Sequence, residues 1–250
     1  MKLSTSTTPK PREPLSILLL GPPGSRKTTL SMQFPKPYFV DCDGNLDGPE
    51  RFLRKNGFAD LAYGYDSVNF TDDGKEVRAE DKYDRLELLL RSARTADCET
   101  VVVDSMTMVN EFIIRKVLKE QNQSAMRPVD WQPLKSYYWK LLVSGIRALG
   151  KTTIVTCHEI ILTEPDPKQV MKELIVGYKP SVQGGIADYF GAFFTDIWRS
   201  VIETEPTTKG PVTKTKLYTC KTPKSPDLKN SLLMPAVIDA SYAEIKKYLQ

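Results

Sequence analysis

The segment that most constrains this chain is SILLLGPPGSRKTT, residues 16–29. An apolar run ends in Gly-Pro-Pro-Gly, and a helical pattern over 27–34 opens directly after it. Such a run fits a central strand of a parallel sheet, covered on both faces. Strand, tight turn and helix in that order make a phosphate cradle. The turn aims backbone N–H groups inward, and the helix start adds positive partial charge. On this reading Gly21, Pro22, Pro23, Gly24, Ser25, Arg26, Lys27, Thr28 and Thr29 bind a nucleotide. Lys27 neutralises its β- and γ-phosphates, and the Thr28 hydroxyl serves Mg²⁺. One position departs from the pattern G-x-x-x-x-G-K-[ST]: Arg26 stands where a glycine is expected. A side chain there either crowds the nucleotide or adds a phosphate contact.

The rest of the chain repeats the alternation. Strand-like stretches cover 37–43, 100–105, 152–158 and 192–203, and helical patterns cover 83–96, 106–120 and 133–149. Tyr137, Tyr138 and Trp139, inside the last of these, read as core. Alternation of this kind predicts an α/β fold, a mostly parallel central sheet flanked by helices. A β-hairpin over 214–221 and a short helix over 240–249 close the chain. Residues 1–14, with three prolines, read as a flexible tail, and 15–250 as one domain. Segments 121–132 and 163–185 read as loops, the second long enough to be functional.

Composition removes other classes. The 250 residues carry 35 Lys+Arg against 31 Asp+Glu and are 40% hydrophobic, ordinary values for a globular chain. No apolar run reaches the ~18 residues that span a bilayer, and the N-terminus lacks a signal-peptide core, so no membrane and a cytoplasmic location are expected. Four scattered cysteines, Cys42, Cys98, Cys157 and Cys220, suit neither a zinc site nor a disulfide framework.

Three further polar residues fall at strand ends, where ligands of such sheets bind. Val101-Val102-Val103-Asp104-Ser105 is an apolar strand ending in the acid that a Mg²⁺-dependent nucleotide site requires. Asp41 and Asp43 end the second strand. A carboxylate there either activates the attacking water or starts a turn with Gly44 and Asn45. His158, the only histidine, ends the fourth strand, either as an ordinary strand-end residue or as a γ-phosphate sensor.

The set GPPGSRKTT, FVDCDGNLDG, VVVDS, IVTCHE and GGIADYFGAFFTDIWR resembles the RecA-like recombination ATPases, specifically the phage Sak-four group of single-strand annealing ATPases, over about residues 15–225. The resemblance implies a RecA-like P-loop core and ATP with Mg²⁺ as cofactors. Lys27, Asp43, Asp104 and His158 are then catalytic, and Thr28 and Asp104 the metal partners. It also implies a further strand between the P-loop strand and the strand ending in Asp104, which would bring His158 to the γ-phosphate. Lys214 and Lys216 are similar to a paired-lysine hairpin that reaches a neighbouring subunit's ATP, so a homo-oligomer, ring or filament, is implied. The same resemblance makes single-stranded DNA the partner, with Arg127, Lys168 and Lys172 at its backbone and Trp131 stacking. A single-strand DNA-binding protein is a further expected partner. Two other classes share the motifs: an AAA-type or packaging-type motor NTPase, and a regulatory module that binds ATP but hydrolyses it slowly.

Overall fold

The computed structural model describes residues 14–166, 173–207 and 210–249. Strand β1 (Ser16–Gly21) leads into helix α1 (Lys27–Ser31), followed by β2 (Pro37–Asp41), α2 (Asp47–Lys55) and β3 (Gly64–Ser67). Then come α3 (Lys82–Thr95), β4 (Thr100–Asp104), α4 (Met106–Glu120), α5 (Trp131–Trp139) and β5 (Thr152–Pro165). The chain ends with β6 (Glu173–Pro180), β7 (Asp196–Thr207), β8 (Gly210–Tyr218), β9 (Val237–Asp239) and α6 (Tyr242–Lys246). The expected tail lies almost wholly outside the described residues.

One sheet runs β3-β2-β4-β5-β1-β7-β8-β9, with β6 attached to β5 alone. From β3 to β7 all neighbours are parallel; β8 and β9 are antiparallel additions. The mixed α/β architecture expected from the alternation is therefore present. Strand side chains alternate between two cores, as the period of two demands. Leu18, Leu20, Val101, Val103 and Val155 pack beneath α3, α4 and α5. Ile17, Leu19, Phe39, Val102 and Ile154 pack against α1, α2 and α6. Both faces of the central strands are covered, which is why these strands read as unbroken apolar runs.

Three expectations need correction. Where it is described, segment 163–185 is largely not a loop: β5 continues seven residues past His158, and β6 returns beside it as an antiparallel ribbon. Two of its prolines sit at the ends of the paired stretch, Pro165 opposite Glu173 and Pro180 opposite Glu159, so they do not interrupt the ladder. The helix over 133–149 starts at Trp131 and widens into a π-type turn over Lys140–Ile146. Trp139 is 59% exposed, its ring edge-on to Phe193 at 5.3 Å, whereas Tyr138 is buried as expected. Trp131, expected to stack on a base, is partly buried and packs against the core. No helix among the described residues is long and apolar enough to cross a membrane.

Candidate active site

Backbone geometry builds the cradle first. Gly21 has φ +152°, and a Cβ there would lie 2.3 Å from the Ser200 carbonyl oxygen on β7. Only glycine allows β1 and β7 to close at this point. Ser200 then donates its hydroxyl to the Ser25 carbonyl at 2.6 Å, fastening the turn to the sheet. Within the turn, the Lys27 ammonium donates to the carbonyls of Gly21 (2.9 Å) and Pro22 (3.0 Å). Burial lowers the Lys27 pKa, opposed chiefly by the charge of Asp104.

Beside this turn stands the acidic half. Asp104 ends β4 fully buried, accepting a hydrogen bond from Thr28 at 2.7 Å and another from Thr156 of β5. Burial pushes its carboxyl up to about 6 against the pull of those two hydroxyls. The two aspartates at the end of β2, Asp41 within it and Asp43 just beyond, divide the alternatives left open by sequence. Asp41 accepts from the Gly44 N–H at 2.8 Å and so shapes the turn. Asp43 faces the cleft and is held by the backbone N–H (3.1 Å) and hydroxyl (2.9 Å) of Ser105.

The sheet order supplies the third part. β5 lies between β1 and β4, with Gly21 in register with His158. The strand expected between the P-loop and Asp104 strands is β5 itself. His158 lines the cleft, and its Nδ1 is buried with no hydrogen-bond partner among the described residues. Burial, then the nearby Lys27 charge, lowers its pKa, so the imidazole is neutral at pH 7.

These groups share one cleft of about 550 Å³. Pro23, Gly24, Ser25, Arg26, Lys27, Thr28 and Thr29 line it with Asp43, Asp104, Ser105 and His158. Gly21 and Pro22 lie beneath, as the seat of Lys27. Among the described residues no cluster of three acidic, histidine or cysteine side chains could hold a metal ion. The residues present nevertheless fit Mg²⁺. One hydroxyl and one carboxylate in contact, beside a phosphate cradle, are the few protein ligands this ion takes when phosphates supply the rest.

The sequence model of a family described as an AAA domain (AAA_24) matches residues 13–226, most of the chain. The chain belongs to this family. No curated protein matches it. This AAA domain is accordingly a P-loop ATPase, and the cleft is where its defining residues converge.

Sequence reasoning missed the opposite wall of the AAA domain's cleft: Asn45, Gly48, Pro49 and Phe52. They come from α2 and the turn before it. That helix is only nine residues long and carries Gly48 and Pro49 in its first turn, so helix propensity does not announce it. Thr156 was likewise hidden inside an apolar strand. Lys214 and Lys216 do not line the cleft of their own chain. Both pair with Glu205 (2.9 and 3.2 Å), and Lys216 also with Asp239 at 2.9 Å. Arg127 is tied to buried Asp130, while Lys168 and Lys172 lie outside the described residues.

Proposed function

We propose that this ATPase couples ATP hydrolysis to work on single-stranded DNA in recombination or strand annealing, as a homo-oligomer. The observation that carries the reading is the course of β5. One continuous strand borders the P-loop strand, presents His158 to the cleft, and then forms the β5–β6 ribbon. A change at the γ-phosphate therefore meets the ribbon through a single element, with no joint between His158 and its root.

Thr28 and Asp104 would hold Mg²⁺, which when bound supplies positive charge to the β- and γ-phosphates. Asp43, fixed by Ser105, accepts the proton of the attacking water. The water oxygen bonds to the γ-phosphorus as the bond to the bridging oxygen breaks, giving ADP and phosphate. Lys27 turns from the Gly21 and Pro22 carbonyls to the phosphates, and neutral His158 reads the γ-phosphate. The ribbon and the 121–130 segment are the DNA-facing parts, Lys214 and Lys216 complete a neighbouring chain's site, and a single-strand DNA-binding protein is an auxiliary partner.

Anisotropy of a labelled single-stranded oligonucleotide tests the reading. Binding that tightens with ATP and Mg²⁺, and no longer does so in K27A, supports it; negligible affinity with and without ATP defeats the DNA role. The AAA-family match favours a second reading, a motor NTPase, which predicts turnover stimulated by duplex rather than single strands. Binding without turnover in any condition indicates the slow regulatory module instead.

A further inference from the structure

Arg26 occupies backbone that favours glycine, with φ 65° and ψ 30°. A non-glycine residue in the left-handed region is uncommon and strained, which directs attention to what its side chain does. That side chain runs along the wall of the cleft. Its guanidinium carbon lies 4.1 Å from the centre of the Phe52 ring, and one nitrogen donates to the Thr215 hydroxyl at 3.2 Å. Among the described residues its side-chain partners are this ring and this hydroxyl rather than a carboxylate, although Asp43 and Asp104 line the same cleft. A planar cation with five N–H donors thus rests on an aromatic face and a neutral hydroxyl. Both are weaker partners than a phosphate oxygen, which takes a guanidinium in charge-assisted, often bidentate bonds.

Resting on the ATPase reading above, we propose that Arg26 is a catalytic arginine supplied in cis. It leaves Phe52 and Thr215 for the triphosphate and donates to the oxygens on which negative charge grows as the γ-phosphoryl group transfers to water. The ligand class is a nucleoside triphosphate, preferred over the diphosphate because the last phosphate adds acceptor oxygens within the guanidinium's reach. The glycine of the ordinary motif gives the same loop without this donor. The departure therefore exchanges some backbone comfort for transition-state charge.

The test compares wild type, K27A, R26G, R26K and T215V by steady-state ATP turnover, ATP and ADP competition against a fluorescent nucleotide, and thermal melting. R26G restores the residue its backbone prefers, so it is expected to melt no lower than wild type. Its kcat is expected to fall ten- to a hundredfold, with loss of most of the ATP-over-ADP preference. R26K keeps the charge without the planar fork and is expected between the two. T215V removes the resting bond and is expected to turn over within twofold of wild type. R26G turnover within twofold of wild type overturns the proposal. So does T215V falling as far as R26G, because Arg26 is then a strut between the turn and β8. If wild type and K27A bind and hydrolyse ATP alike, the ATPase reading itself fails and takes this inference with it. A large K27A defect with normal R26G defeats the inference alone.

Discussion

Asp104 shows how a single residue carries both function and its cost. Its native carboxyl titrates near 6, against an ordinary value of 3.8, because burial opposes the charge. The native state therefore binds this proton more tightly than the unfolded chain. Stability contributed by the group falls as pH rises from about 4 to 6, and stays lowered above that window. In magnesium-free buffer at pH 8, D104N is expected to raise stability by about 1–2 kcal/mol, a gain that shrinks at pH 4.5. Its ATP turnover should fall at least a hundredfold, because the amide no longer supplies a negative metal partner. Denaturant melts at the two pH values check the first part and steady-state kinetics the second. Gly21 makes the opposite kind of prediction. A methyl group there would meet the Ser200 carbonyl oxygen at 2.3 Å on backbone already outside the range of L-residues. G21A should cost roughly 2–4 kcal/mol and separate β1 from β7, read as faster amide exchange at both strand ends.

At the scale of elements, the ribbon root is fixed by one ion pair. Arg199 of β7 donates twice to Glu159 of β5 at 2.7 Å, and its guanidinium stacks on Tyr178 of β6 at 3.7 Å. Glu159 is 2% exposed in its side chain and Arg199 13%, so removing the cation strands a desolvated carboxylate. R199A is expected to cost roughly 3 kcal/mol and to raise amide exchange across 159–180 more than in β4. Equal exchange in both regions would contradict the clamp. The same scale explains what sequence could and could not reveal. β1 and α4 were legible to the residue and β4 to within one, because both strands are buried along their length and α4 carries a regular apolar stripe directly after the strand ending in Asp104. The ribbon was not, because Ile160, Ile161, Leu162, Leu174, Ile175 and Val176 follow one another without alternation. All six are exposed, so neither face of the ribbon imposes a period on the sequence. Likewise α2 hid the far wall of the cleft, whereas the convergence of Lys27, Thr28 and Asp104 on one cleft was readable because phosphate chemistry restricts residue type there, and that of His158 followed only from the strand order the resemblance implied.

For the whole molecule, assembly is the open quantity that nucleotide should control. Lys214 and Lys216 lie on an antiparallel extension of the sheet, away from their own cleft and held by Glu205 and Asp239. Exposed pairs of this kind contribute little, ~0–1 kcal/mol each, so the double variant K214A/K216A should melt within about 2 °C of wild type. On the proposed oligomer reading, light scattering should nonetheless show assembly with ATP and single-stranded DNA in wild type but not in this variant, and only the wild-type turnover should depend on protein concentration. Unchanged assembly would place the inter-subunit contact elsewhere on the sheet. The ladder of the ribbon has its own consequence. Register shifts between Leu162 and Thr163, four to five residues beyond His158 and past the Arg199 clamp. The proximal stretch is thus fastened to the sheet by the clamp, while the irregularity beyond it breaks the regular ladder. On the proposed reading, a displacement begun at His158 would have to cross this bulge to reach the far end of the ribbon.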